Sequence, residues 1–282
     1  MMAWSCPSPP ELTDAQFDAW RRLIEARTGV DLSQHRSILE SGLRRRLREL
    51  GAGDYDAYFE RVSRLPQGLA EWQTLLERVI VKETRFFRQP EAFGLVGNYL
   101  SERVQSASAL DLWSVGCATG EEAYGLAMTA SEAIANSAAP CFFGVLATDI
   151  CTEALRRARA GRFHARRLGA VPVALRERYF QISGTGEFEV RSELRQRLCC
   201  AQANLLEAAQ LPLLAMDVIF CQNVLVYFRR WRVRQVLDAL AARLKPGGLL
   251  VLGPGEAAHW QPPGLTRVKH PGVSAWLRRI EN

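Results

Sequence analysis

Residues 114–122, Ser114-Val115-Gly116-Cys117-Ala118-Thr119-Gly120-Glu121-Glu122, follow an apolar run and lead into a helical pattern. Glycine at such a turn lets the backbone approach a ligand, and the helix that follows offers its N-terminus. The next apolar run ends in Ala147-Thr148-Asp149-Ile150. An acidic side chain there can accept hydrogen bonds from both hydroxyls of a ribose. The interval from Gly116 to Asp149 exceeds the roughly 20 residues of dinucleotide folds; a longer helix and a loop through Pro140 take up the difference. A third stretch, Phe220-Cys221-Gln222-Asn223-Val224-Leu225-Val226-Tyr227-Phe228, follows another strand-like run, and Asn204-Leu205-Leu206 adds a polar side chain near a strand end. Lys82-Glu83-Thr84-Arg85-Phe86-Phe87-Arg88 crowds arginines and aromatics together. The chemistry these residues permit is the holding of a nucleoside-type ligand beyond the carboxyl ends of a sheet. Each also has a plain structural reading: a turn joining strand to helix, core aromatics at Tyr227 and Phe228, or Phe86 and Phe87 tucked into a core. His35, His164, His259 and His270 fall outside these stretches, and no Ser–His or Cys–His pairing stands out. No CxxC pair or zinc-type spacing occurs, so no metal is expected.

The elements that must position these residues come in two kinds. Up to about residue 80 only helices are expected. Thr13 with Gln16 reads as a capping box, with Phe17, Trp20 and Ile24 following at helical spacing until Gly29. Leu39, Leu43, Leu47 and Leu50 form one stripe ending at Gly51. Arg44, Arg45 and Arg48 fall on the opposite face and Arg46 flanks the stripe. Two more helices are expected near 54–64 and 68–81. From Ala109 onward the runs Ala109–Val115, Cys141–Ala147, Asp217–Cys221 and Leu249–Leu252 alternate with helical segments near 121–136, 152–160 and 231–244. That alternation predicts a mainly parallel sheet with helices on both faces. Gly184-Thr185-Gly186 reads as the turn of an antiparallel β insertion at about 184–202. The division expected is a helical domain over 11–80, a linker segment with a helix over 81–108, and an α/β domain over 109–282.

A length of 282 residues suits two domains. No apolar run of about 18 residues occurs, so no membrane insertion is expected. The start MMAWSCPSPP lacks the basic-then-apolar pattern of a signal peptide. Seven cysteines, two of them adjacent at Cys199 and Cys200, read as reduced thiols of a cytoplasmic protein. The net charge of +6 is local. It gathers at Arg44–Arg48 and among Arg156, Arg157, Arg159, Arg162, Arg166 and Arg167.

Taken together and in order, from about Leu12 to Arg279, the motifs resemble the chemotaxis-receptor glutamate methyltransferase family (CheR). The shared segments are ET-x-FFR, WS-x-GC-x-TGEE, ATDI, NLL and FC-x-NV-x-x-YF. The resemblance implies a Rossmann-like S-adenosylmethionine-dependent methyltransferase domain with a small antiparallel insertion, preceded by a small all-α domain. It implies a cofactor site of Thr84, Arg88, Gly116, Glu122, Asp149, Asn204, Leu205, Cys221 and Gln222. Arg88 and Tyr227 would face the transferred methyl, and Arg44, Arg45 and Arg48 would dock the cytoplasmic domain of a chemoreceptor. Neither nucleic acid nor a second copy of the chain is expected as a partner. Three positions depart from the family: Gln222 stands where Arg is common, Lys82 where Asn is common, and Gly253-Pro254-Gly255-Glu256 replaces GHSE while keeping the glutamate. The Gly184–Val190 turn looks shorter than in members that grip a receptor tether. A nicotinamide oxidoreductase is opposed by the absence of GxGxxG. An RNA methyltransferase is opposed by a basic helix without stacking aromatics. A cofactor-binding module without transferase activity remains an alternative.

Overall fold

The computed structural model describes residues 11–64, 66–138, 140–210, 215–257 and 260–280. The chain divides into two units, one of residues up to 81 together with 227–229, the other of 82–226 and 230 onward. Helices α1 (Asp14–Thr28), α2 (Arg36–Leu50), α3 (Tyr55–Ser63) and α4 (Leu69–Val79) form the first. The capping box at Thr13 is present, its hydroxyl accepting from the Gln16 N–H (3.2 Å) and the Gln16 side chain accepting from the Thr13 N–H (3.1 Å). Trp20 and Ile24 of α1, Leu39, Leu43 and Leu47 of α2, Tyr58 and Val62 of α3, and Leu75, Leu76 and Val79 of α4 make the core. Leu50, placed on the same stripe by spacing, is only half-buried because the helix ends there at Gly51. One carboxylate enters this core. Glu71 accepts a two-pronged contact from Arg46 (2.7 and 2.9 Å) and the Tyr58 hydroxyl (2.8 Å). Residues 227–229 pack with this unit: the Asp31 N–H donates to the Tyr227 carbonyl (2.7 Å) and Phe228 bridges Val30.

The second unit begins with α5 (Pro90–Arg103), β1 (Ala109–Val115), α6 (Glu121–Ala135), β2 (Phe142–Asp149), α7 (Thr152–Ala160) and β3 (Arg162–His164). It continues through α8 (Val173–Tyr179), β4 (Phe180–Gly184), β5 (Glu187–Val190), α9 (Ser192–Arg195), β6 (Leu198–Gln202) and β7 (Met216–Cys221). It closes with α10 (Arg230–Ala241), β8 (Leu244–Leu252), β9 (Leu265–Arg267) and β10 (Ser274–Arg278). The main sheet has the order β6-β2-β1-β7-β8-β10-β9, parallel except where β10 runs antiparallel to β8 and β9. A separate antiparallel sheet of order β3-β5-β4 is inserted between β2 and β6. The Gly184–Gly186 turn falls where spacing put it, but its hairpin starts upstream at Phe180, and Leu198–Gln202 is a parallel edge strand of the main sheet. From β1 the chain winds outward through β2 to β6, then returns to β7 on the other side. That reversal between β1 and β7 is the switch point where open α/β sheets bind ligands.

Candidate functional site

Both strands at the switch point end in residues that depart from regular structure. Ser114 of β1 lies opposite Phe220 of β7. Beyond β1, Gly116 has φ +71° and Ala118 φ +47°; beyond β7, Asn223 has φ +58°. A Cβ on Gly116 would overlap the Val224 side chain. Glycine is therefore needed at residue 116 for its φ and because the segment after β7 packs directly on the turn after β1. That contact brings two of the sequence motifs together.

Asp149, at the end of β2, is 9% exposed. Its two carboxylate oxygens accept from the Ala118 N–H (2.9 Å) and the Cys151 N–H (2.8 Å). The acid thus ties the turn after β1 to the start of the segment after β2. The Gly116 and Cys117 N–H groups both donate to the Thr148 carbonyl (2.8 and 2.9 Å). Ala203 donates to the Asp149 carbonyl (3.0 Å), which places Asn204 and Leu205 beside this strand end. The Asn204 side chain accepts from the Leu206 N–H (3.1 Å).

Glu122 is the electrostatic centre. It opens α6, and its carboxylate accepts from the Ser114 hydroxyl (2.7 Å). Although the residue as a whole is only half-buried, burial of its carboxyl pushes the pKa up to about 8, with Ser114 and Arg88 opposing and Glu256 adding to the rise. Cys221 and Cys117 lie in the same field, and burial pushes both thiols well above the ordinary range. Glu121, beside it, is fully buried and paired with Arg167 (2.6 Å).

Glu256 carries more than its sequence position revealed. One carboxylate oxygen accepts from the Leu225 N–H (2.8 Å) and the Val226 N–H (3.3 Å), the other from the Gly253 N–H (2.7 Å). Burial raises its pKa against these backbone bonds. A Cβ at Gly253 would strike this carboxylate and the Asn223 amide nitrogen. The two members of Gly253-Pro254-Gly255-Glu256 shared with GHSE are thus the structural ones, while Pro254 and Gly255 are exposed.

In 82–88, Phe86 is fully buried against Phe163 and Phe180, and Phe87, at φ +49°, packs on Phe93. These rings anchor the segment, so the structural reading of both aromatics holds as well. Thr84 and Arg88 are half-buried, and Arg88 donates to the Glu83 carbonyl (3.1 Å). Gln222 is 7% exposed and bonds the side chain of Gln89, which itself donates to the Gly272 carbonyl (2.7 Å). The residue departing from the family thus has a local partner of matching chemistry. In the helical unit, the Tyr227 ring lies 5.9 Å from His35, a histidine that spacing left outside the motifs. Arg44 and Arg45 pair with Glu40 (2.9 Å) and Glu49 (3.2 Å), and Arg48 is exposed. Among the described residues no group of acids, histidines and cysteines could hold a metal, and six cysteines are free thiols.

The donor set fits a cationic nucleoside cofactor. Carboxyls at Glu122 and Asp149 flank the turn after β1, Glu256 holds the segment after β7, and the raised pKa of Glu122 marks a buried acid that a cationic group would stabilise. Fold and site together define a doubly wound α/β domain of the S-adenosylmethionine-binding methyltransferase class. Residues 82–270 match the family description "CheR methyltransferase, SAM binding domain", and residues 15–80 match "CheR methyltransferase, all-alpha domain". The chain is 35% identical to the chemotaxis protein methyltransferase of Klebsiella aerogenes, covering 87% of this chain and 84% of that protein. It is 35% identical to the Escherichia coli K12 protein of the same name, covering 87% and 85%. With chemotaxis protein methyltransferase 2 of Pseudomonas aeruginosa the identity is 34%, covering 90% and 93%. The chain belongs to the CheR methyltransferase family, and its cofactor is S-adenosylmethionine.

Proposed function

We propose that the protein transfers methyl groups to glutamate side chains on the cytoplasmic helices of chemoreceptors, forming methyl esters, and that it works in the cytoplasm. The observation that carries this reading is the packing of Val224 on Gly116, which brings two of the family's motif segments together at the switch point. Bound there, the cofactor supplies a methyl already activated on a sulfonium. An ionised glutamate, with a reference pKa of about 4.3, needs no general base to attack it. In keeping with this, the Cys117 and Cys221 thiols are held protonated by burial. What the chain must do is orient and exclude water, which is worth several kcal/mol when the reactants are aligned, of about 7–11 kcal/mol at most.

Thr84, Arg88, Gly116, Glu122, Asp149, Asn204, Leu205, Cys221 and Gln222 are proposed to hold the cofactor. Arg88 and Tyr227 are proposed to direct the incoming carboxylate. Arg44, Arg45 and Arg48 are proposed to meet the acidic receptor; Arg46 is not, being committed to Glu71. No helix of the described residues is long and apolar enough to cross a membrane. The test is tritiated methyl transfer to receptor cytoplasmic fragments, read as base-labile label. Tight cofactor binding by calorimetry with no such label on any of the host's receptors would defeat the reading and leave a cofactor-binding module.

A further inference from the structure

The helix that follows the Cys221–Tyr227 segment carries the wrong charges for its own fold. The first turn of α10 contains Arg230 and Arg232 and no acid. The macrodipole favours acids at that end and disfavours cations, by about 0.3–1 kcal/mol each. Packing does not require these residues either, since Val236, Leu237 and Leu240 bury the opposite face. Trp231 sits at the centre of the outward face and is 55% exposed. The Arg232 guanidinium stacks 4.1 Å from its ring centre. The Arg234 side chain is 81% exposed, and the one carboxylate it pairs with among the described residues, Asp238, lies 4.0 Å away and already accepts from the Trp260 indole (2.8 Å). Arg230 is exposed and has no ion-pair partner among the described residues. Val226, just before Tyr227, is 56% exposed although Glu256 fixes its backbone. Tryptophan and arginine are the residue types that most often dominate protein interfaces.

We propose that the α10 face centred on Trp231 and flanked by Arg230, Arg232 and Arg234 docks the acidic helical segment that bears the accepting glutamate. The arginines meet its carboxylates and Trp231 covers a side chain between them. The charge is complementary to an acidic segment, and the surface continues the chain directly from the segment at the sheet's switch point. The inference rests on the glutamate-methylation reading above. It is tested with the full chain, tritiated cofactor and a receptor cytoplasmic fragment at fixed low ionic strength, comparing wild type, Trp231→Ala, the Arg230→Glu/Arg234→Glu pair and, as a control, the exposed Ile280→Ala. The first two variants should raise the KM for the fragment about tenfold or more, with kcat within twofold and cofactor affinity unchanged; the control should match wild type. The charge-reversed pair should also melt close to wild type, because an acid at residue 230 suits the helix start and offsets the loss of the long Arg234–Asp238 contact; a merely structural role would lower the melting temperature as it raised KM. An unchanged KM in a wild type that methylates overturns the docking surface alone. A wild type that leaves no base-labile label overturns the underlying reading and this one with it. Loss of affinity of Trp231→Ala for a single-stranded RNA, with the receptor KM unmoved, would also overturn it.

Discussion

Glu122 makes a prediction that depends on one side chain. Its pKa in the free protein is about 8, raised by burial against Ser114 and Arg88 and pushed further by Glu256. At pH 7 the carboxyl is therefore mostly protonated, yet a cationic ligand prefers it ionised. Cofactor binding should release close to one proton near pH 7, and affinity should rise with pH up to about 8 and then level. Calorimetry in buffers of different ionisation enthalpy reads the proton count directly. Glu122→Gln should remove the proton release and weaken binding by about tenfold or more, taking a charge-assisted contact as about 1.5–3 kcal/mol. A pH-independent affinity in the wild type would show that the ligand's charge goes elsewhere. Gly116 gives a second test. Gly116→Ala meets both a left-handed φ and the Val224 side chain, so it should destabilise the protein by about 1–3 kcal/mol. Cofactor affinity should fall further than stability does, since the turn itself must move; Gly120→Ala is not an equivalent control because that residue is also left-handed.

At the scale of elements, the clearest prediction concerns the helical unit. Glu71 of α4 is 8% exposed, and the hydrogen bond from Arg46 lowers its pKa, with Tyr58 adding to the effect against burial. A depressed acid contributes stability that is present above its unfolded pKa and lost as pH falls through the folded value. Thermal stability of this unit should accordingly drop below about pH 4.5. Arg46→Ala should cost about 3–5 kcal/mol by stranding a buried carboxylate, whereas Arg45→Ala, with an exposed pair, should cost under about 1 kcal/mol. Thermal melts across pH 3–7 decide it. Arg46 also shows what the sequence could reveal: helical spacing separated it from Arg44, Arg45 and Arg48, but could not say that Glu71, 25 residues on, was its partner. Likewise β1, α6 and α7 were legible because apolar period and glycine punctuation agree there. β9 and β10 were not, since three and five residues carry too little periodicity, and β6 took its place in the sheet from pairing with β2, not from local pattern. At the site, Gly116, Asp149 and Glu122 were legible as a motif. The roles of Gln89, His35 and Glu256 were not, because each acts on a segment distant in sequence through geometry that only folding creates.

For the molecule as a whole, charge is placed with unusual economy. Residues 151–200 hold eleven arginines and five glutamates, a surplus equal to the entire net charge of +6. This stretch is the insertion between β2 and β6 with its flanking helix, and Arg156, Arg157 and Arg162 are each more than 60% exposed. Residues 201–282 add ten Lys and Arg against five acids, and residues 1–150 carry fifteen against twenty. The helical unit is neutral, with twelve of each sign, so any long-range attraction of an acidic partner originates on the cofactor unit. Such a field acts on encounter and not on the methyl-transfer barrier. It is screened over a Debye length of about 10 Å at 0.1 M salt. The rate constant kcat/KM on a receptor fragment should therefore fall several-fold between about 50 and 300 mM salt, while kcat at saturation changes little. Replacing Arg156, Arg162 and Arg166 by Gln should lower kcat/KM by about three- to tenfold at low salt, at the weak end of the 10–1000-fold range of electrostatic steering. At high salt the variant and the wild type should converge. A gap that persists at 300 mM would mean that these arginines touch the receptor in the docked complex, and that they select the partner by contact instead of drawing it in.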